Sequence, residues 1–174
     1  MGRNIITLDD LTVNNIGTFK KILSVTLPTS YPETWLKDAF NNDHIVKLAF
    51  YSELPVGQIR GKLSNSSHNI SSFESSTSAQ LNSKIIPNAI YIETLSVLEA
   101  YRNQGIGSKL LEWIIEQAKE RFIHEIYVHV HIKNDNAINW YEKKGFERSS
   151  EPVKGYYESQ NLNEPDALVL TLKV

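Results

Sequence analysis

Two hydrophobic periods run along this chain, and each predicts one kind of secondary structure. In four segments apolar residues recur every three or four positions, which is the spacing of a helix with one buried face. The first two predicted helices are one capped by Asn14 or Asn15 with its stripe at Ile16, Phe19, Ile22 and Leu23, and one that starts at Pro32 and carries Trp35, Leu36 and Phe40. The last two are Ser108–Phe122, which buries Leu110, Leu111, Ile114, Ile115 and Ala118, and a helix from Asn134 or Asp135 through Tyr141 that stops at Gly145.

Elsewhere apolar and polar residues alternate or form short apolar runs, which is typical of strands. The alternation is cleanest in Ile126–Ile132, where it places Tyr127, His129 and His131 on one face. The element order is then strand, two helices, three strands, helix, strand, helix and two strands. The predicted strands are Ile5–Leu8, Ile45–Tyr51, Val56–Lys62, Ile90–Val97, Ile126–Ile132, Phe146–Pro152 and Ala167–Lys173.

A glycine-containing turn joins the fourth predicted strand to the third predicted helix. It reads Arg102-Asn103-Gln104-Gly105-Ile106-Gly107 and is followed by Ser108. Glycine lets the backbone approach a ligand closely, and the free amide groups at the start of a helix attract phosphate. The spacing matches neither the dinucleotide fingerprint nor the Walker loop, since Gly107-Ser108-Lys109 has the wrong order for the latter. The turn therefore predicts a cradle for a pyrophosphate-bearing cofactor.

Composition narrows the class of protein. The chain has 174 residues, 18 Lys and Arg, 20 Asp and Glu, and a net charge of −2, so neither nucleic-acid binding nor membrane binding is expected. It has no cysteine, which excludes disulfides and thiolate metal ligands. We expect one domain over 1–174 that carries a flexible Ser/Asn-rich loop at 64–83, where nine of 20 residues are Ser. The start of the chain has no signal-like apolar segment, so a cytoplasmic location is expected.

The turn is followed at a characteristic distance by Asn134-x-x-Ala137-x-x-x-Tyr141-x-x-x-Gly145-Phe146. Together with the element order, these two motifs resemble the GCN5-related N-acetyltransferase (GNAT) superfamily. The resemblance implies an α/β (α+β) fold with a mixed, mostly antiparallel sheet of about seven strands and about four flanking helices. It also implies acetyl-CoA as co-substrate, bound by the turn and by Asn134 and Tyr141, and no metal.

A closer resemblance is to the catalytic subunit of NatE-type N-terminal acetyltransferases, and it runs over nearly the whole chain. It rests on Leu27-Pro28-Thr29-Ser30-Tyr31, Ile90–Leu95, Ile126–Val130 and Tyr156-Tyr157. It implies acetylation of the α-amino group of Met-starting peptides, and of some lysines, with the NatA complex and the ribosome as partners. The implied substrate-binding residues are Leu27, Pro28, Thr29, Tyr31, Glu93, Tyr156 and Tyr157.

The chemistry of acetyl transfer points to His129 as the base. An α-amino group has a pKa near 7.7–8, so an imidazole with an ordinary pKa of about 6.5 can remove its proton directly or through water. The resemblance pairs His129 with Tyr91 on the adjacent strand and makes Tyr141 the donor to the leaving thiolate. It further implies a backbone N–H that binds the oxyanion at a bulge near Leu95, Ser96 and Val97.

Other interpretations remain open at this point. His129 is alternatively a strand histidine in the core, or a metal ligand together with His131. The tyrosines are alternatively packing aromatics. Two residues depart from the NatE pattern, since Leu27 stands where Phe is common and Glu93 where an apolar residue is common. The protein is alternatively a small-amine acetyltransferase, or a binding subunit in which catalysis is dispensable.

Overall fold

The computed structural model describes residues 5–27, 31–64, 87–148 and 167–174, and within them the chain forms one seven-stranded sheet flanked by four α-helices. The order of strands across the sheet is β1-β2-β3-β4-β5-β7-β6. The strands are β1 Ile6–Asp10, β2 His44–Tyr51, β3 Leu54–Ser64, β4 Ala89–Val97, β5 Glu125–His131, β6 Glu147–Arg148 and β7 Ala167–Lys173. The helices are α1 Ile16–Thr26, α2 Glu33–Asp38, α3 Ile106–Glu120 and α4 Asp135–Lys143.

The predicted elements are all present in these ranges, and three of them differ in detail. The third helix begins at Ile106, two residues before the predicted start, because Gly105 adopts a left-handed conformation and caps it. Asn15 does not cap α1 with its side chain, which instead accepts the Thr12 N–H ahead of a short 3₁₀ turn. Phe40 is exposed, because α2 ends at Asp38 and the helical stripe ends with it.

Two predictions fall largely outside the described residues. Ser64 is the last residue of β3, and 65–83 of the predicted loop lie beyond it. Of the strand predicted over Phe146–Pro152, the described part contains Glu147–Arg148. No helix within the described ranges is both long and apolar enough to cross a membrane.

The sheet is antiparallel except between β4 and β5. These two strands are parallel and are joined by α3, as a crossover connection requires. Their ladder covers only Ile90–Ile92 and Ile126–Val128, after which β5 continues alongside β7. The carboxyl-terminal halves of β4 and β5 therefore diverge, and this leaves an opening in the sheet.

Each face of the sheet has its own hydrophobic core. The α3 and α4 face buries residues such as Ile90, Ile92, Leu110, Ile114, Ile126, Val128 and Tyr141. The α1 and α2 face buries Phe19, Ile22, Leu23, Leu36, Ala39, Val46 and Leu48. Burial of such side chains at about 25 cal/mol per Å² is the main force that holds both layers to the sheet.

Candidate active site

Tyr91 and His129 lie together on the α1 and α2 face of the sheet. The parallel register pairs Tyr91 with Tyr127, so His129, two residues further along β5, points to the same face. The Tyr91 hydroxyl oxygen is 3.1 Å from Nδ1 of His129, and the Tyr91 ring stacks on Tyr127 at 4.9 Å. The predicted contact between Tyr91 and His129 is therefore present, at the point where β4 and β5 begin to diverge.

Burial determines the protonation state of His129. The residue is only 9% exposed, and the loss of water contact lowers the pKa of its imidazole from 6.5 to about 4. The ring is consequently neutral at neutral pH, and it is a weaker base than the ordinary imidazole expected from the sequence. The neighbouring His131 makes a local contact instead, since its Nδ1 accepts the Lys133 N–H at 3.1 Å.

The glycine turn has the geometry of an anion cradle. Gly105 has φ of 84°, and a Cβ placed on it would meet no atom within 4 Å, so the space beside it is open. The first hydrogen bond of α3 runs from the Lys109 N–H to the Gly105 carbonyl, and the three amide groups of residues 106–108 precede it. Arg102 ties the turn to the end of β4, because its Nε donates to the Val97 carbonyl at 3.0 Å.

The second glycine of the turn is needed for packing. A Cβ on Gly107 would lie 3.3 Å from the Trp140 ring, which is closer than ordinary contact. Trp140 belongs to α4, so Gly107 allows α4 to approach the start of α3. The two motifs that were separate in sequence are thus in contact in the structure.

Asn134 and Tyr141 hold α4 in place. The Asn134 side chain accepts the Ala137 N–H at 3.2 Å and caps the helix. Tyr141 is 6% exposed and packs its ring edge-on against Phe146, with centroids 5.1 Å apart. It belongs to the α3 and α4 core, so it is on the opposite face of the sheet from His129.

The bulge in β4 lies at Glu93, two residues before the stretch in which the sequence places it. We expected it near Leu95–Val97, and that expectation is wrong, because the register shifts between the Arg60–Thr94 and Gly61–Ile92 pairs and leaves Glu93 as the extra residue. The bulge resets the alternation of β4. As a result Thr94 and Ser96 share the face of Tyr91, whereas Leu95 and Val97 pack into the opposite core.

A buried arginine that the sequence reasoning missed lies beside this bulge. Arg60 is 1% exposed, and its Nε donates to Oε1 of Glu93 at 3.0 Å. Its Nη1 donates to the Trp35 carbonyl at 2.7 Å, and the guanidinium lies 3.6 Å above the Trp35 ring. Burial lowers the pKa of Arg60, and the carboxylate of Glu93 opposes that shift. The only sequence signal was an arginine within an otherwise apolar strand.

Glu93 is therefore engaged within the protein. Besides Arg60, Nε2 of His44 lies 3.0 Å from the same carboxylate oxygen. Three uncharged side chains farther along the same face are joined by hydrogen bonds. Gln58 accepts a hydrogen bond from Thr94 and donates one to Ser96, each at 2.9 Å. Thr26 of α1 also donates to Ser96, at 2.8 Å. These contacts fasten α1 and α2 to the face that carries Tyr91.

The described substrate residues flank the same face. Leu27 follows α1 in an extended conformation, and Tyr31 stacks on Trp35 at 4.2 Å. Pro28, Thr29, Tyr156 and Tyr157 lie outside the described residues, so their roles stay predictions. Among the residues that the structure describes, no three His, Asp or Glu side chains gather as metal ligands would.

Comparisons with known proteins agree with this geometry. Residues 17–146 match the model of the acetyltransferase (GNAT) family. N-alpha-acetyltransferase 50 of Danio rerio is 32% identical over 95% of this chain and 86% of that protein. The structure of Arabidopsis thaliana Naa50 with the bisubstrate analogue CoA-Ac-MVNAL has a TM-score of 0.76 and 30% identity, over 96% of this chain and 97% of that one.

A more distant structure shares the fold. The ribosomal-protein-S18-alanine N-acetyltransferase of Escherichia coli has a TM-score of 0.75 at 16% identity, over 97% of this chain and 94% of that one. The family model covers 17–146, which contains the glycine turn, the Tyr91–His129 pair and α4. On these grounds the chain belongs to the GNAT family of acetyltransferases.

Proposed function

We propose that this protein is an N-terminal acetyltransferase that transfers the acetyl group of acetyl-CoA to the α-amino group of a peptide, with Met-starting peptides as substrates. The observation that carries the proposal is the Tyr91–His129 pair at the opening between β4 and β5. The similar Arabidopsis protein was solved with an analogue that joins CoA to an acetylated peptide beginning with Met, which supports the same substrate class here.

The residues of the glycine turn fit the co-substrate. The open space beside Gly105 and the free amide groups that begin α3 suit the diphosphate of acetyl-CoA. When bound, acetyl-CoA supplies a thioester carbonyl to be attacked. The turn lies at the start of α3, so the co-substrate approaches from the α3 and α4 face, and the peptide approaches from the face of Tyr91.

His129 and Tyr91 are the residues proposed to remove the proton of the α-amino group. An α-amino group must lose a proton to become a nucleophile, and the neutral imidazole of His129 accepts it, with Tyr91 orienting the ring. The new bond joins the amine nitrogen to the acetyl carbon, the bond from that carbon to sulfur breaks, and CoA leaves as the thiol once its sulfur is protonated. Tyr141 is the proposed donor of that proton. The second proton of the amine nitrogen leaves to solvent as the amide forms, and the Tyr141 hydroxyl regains its proton from solvent.

The oxyanion is assigned to the end of β4. Residues Leu95, Ser96 and Val97 follow the bulge and border the opening, where their amide groups are proposed to stabilise developing charge. Acetylation of lysine side chains, association with NatA and the ribosome, and a cytoplasmic location remain predictions from the sequence.

An acetylation assay tests the proposal. A Met-starting peptide, the same peptide with a blocked N-terminus and a polyamine are each incubated with acetyl-CoA, and the acetylated atom is located by mass spectrometry. We expect modification of the free α-amino group, loss of turnover of 100-fold or more in His129→Ala, and near-normal turnover in the neighbouring His131→Ala. Efficient acetylation of the polyamine without acetylation of the peptide would identify a small-amine enzyme instead.

A further inference from the structure

The lysine that follows α4 lies at the amino-terminal turn of α3. Lys144 directly follows α4, and its Nζ is 2.6 Å from Oγ of Ser108, the third residue of α3. The same ammonium lies 5.5 Å from the centre of the Trp140 ring, which covers Gly107. The packing of α4 on α3 thus delivers a positive charge to the turn that begins at Arg102.

This position is electrostatically unfavourable for a lysine in the absence of an anion. The amino end of a helix carries a partial positive charge and favours negative groups. Within the described residues no carboxylate forms an ion pair with Lys144, and its ammonium contacts a hydroxyl and an aromatic ring. Residues that break a local rule in this way are commonly found where a ligand compensates for the cost.

We propose that Lys144 binds a phosphate group of acetyl-CoA. The proposal rests on the acetyl-CoA dependence of the proposed function but not on the identity of the amine that is acetylated. Lys144 adds a point charge to the backbone amide groups of the cradle, which provide direction with little net charge. It stands at an unspecified position of the second motif, directly before Gly145, so neither motif identifies it.

Two phosphate sources in CoA share this chemistry, namely the diphosphate and the 3′-phosphate of the ribose. Dephospho-CoA lacks the second and keeps the first, so a comparison of the two ligands separates them. Lys143, the adjacent exposed lysine of α4, provides a control with the same change in charge.

The experiment measures affinity for CoA and for dephospho-CoA by calorimetry in wild type, Lys144→Gln, Lys144→Arg and Lys143→Gln. We expect Lys144→Gln to weaken CoA binding about tenfold, the loss typical of one charge-assisted hydrogen bond, while Lys143→Gln stays within twofold of wild type. Lys144→Arg should recover most of the affinity. Without ligand, Lys144→Gln should melt at or above the wild-type temperature, because it removes a cation from a helix amino terminus.

The affinities for CoA and dephospho-CoA show which phosphate group Lys144 binds. Weakened binding of both ligands assigns Lys144 to the diphosphate, and weakened binding of CoA alone assigns it to the 3′-phosphate. Equal affinities in Lys144→Gln and Lys143→Gln would overturn the proposal. A lowered melting temperature without rescue by arginine would also overturn it, since Lys144 would then be a structural tether. Failure of wild type to bind CoA would instead refute the proposed function.

Discussion

The guanidinium of Arg60 and the carboxylate of Glu93 meet 3.0 Å apart, at the one residue that bulges from the β4 ladder. The pair links three elements, because Arg60 also donates to the Trp35 carbonyl of α2. Trp35 in turn stacks against Tyr31, a predicted substrate residue. The position of one wall of the site therefore depends on an ion pair that is nearly shielded from water.

Loss of Glu93 should destabilise the protein strongly. Glu93→Ala leaves the guanidinium of Arg60 buried without its carboxylate, and removal of one partner of a buried pair costs about 3–5 kcal/mol. The double variant Arg60→Met with Glu93→Met should lose much less, because an apolar pair carries no charge to desolvate. Urea unfolding of Arg60→Met, Glu93→Met and the double variant measures the coupling free energy between the two positions.

A surface pair provides the control for this experiment. Lys20 and Glu33 are 2.8 Å apart, and both side chains are more than half exposed, so Glu33→Ala should leave the unfolding midpoint nearly unchanged. If Glu93→Ala behaved like Glu33→Ala, the Arg60–Glu93 pair would not be holding α2 to the sheet.

The family resemblance supplied the Tyr91–His129 pair, and the alternation of β5 agrees with it, but neither predicted the position of the bulge beside it. Alternation put Tyr127 and His129 on one face of β5, and a parallel neighbour then brings Tyr91 to the same face. A bulge adds one residue without changing composition, so nothing in the hydrophobic pattern separates Glu93 from a regular strand residue.

The burial of Arg60 and the start of α3 could not be predicted from the sequence, for related reasons. Arg60 is buried because Glu93 and the Trp35 carbonyl satisfy it, and these partners are 33 and 25 residues away in the chain. The start of α3 depends on the left-handed φ of Gly105, whereas the apolar stripe used for the prediction begins further on, at Leu110. Local patterns do not record either kind of tertiary information.

Acid should destabilise the protein through His129. The pKa of its imidazole is about 4 in the folded state against 6.5 ordinarily, so as the pH falls below 6.5 the unfolded chain binds a proton that the folded chain does not accept until about pH 4. The stabilisation is lost across that window, by about 2 kcal/mol between pH 7 and pH 5. His129→Gln should remove this part of the pH dependence.

Unfolding free energies at pH 7 and pH 5 test this linkage. The drop between the two pH values should be smaller in His129→Gln than in wild type. Identical drops in the two proteins would show that His129 is not desolvated.

Substitutions of Gly105 should separate backbone strain from ligand access. Gly105 has φ of 84°, so Gly105→Ala should cost about 1 kcal/mol although its Cβ meets no atom, and Gly105→Asn should cost less because Asn tolerates this conformation better. Both side chains would occupy the open space beside the turn. Calorimetry with CoA should therefore show weakened binding in both variants, and normal binding would place the diphosphate elsewhere.

Phe122 is a strained and exposed residue whose replacement by glycine should stabilise the protein. It follows the end of α3 with φ of 58° and is 84% exposed. The Ile123 N–H donates to the Ala118 carbonyl at 2.8 Å, which is the hydrogen bond of a helix end that is usually capped by glycine. Phe122 occupies the position of that glycine. A left-handed residue with a side chain costs about 1–2 kcal/mol, and glycine loses part of that gain through the entropy of the unfolded chain. Phe122→Gly should thus add about 0.5–1 kcal/mol in urea unfolding. Phe122→Ala removes the ring but keeps the Cβ, so it should give no such gain, and equal stabilisation by both variants would mean that the exposed ring, not the backbone, carries the cost.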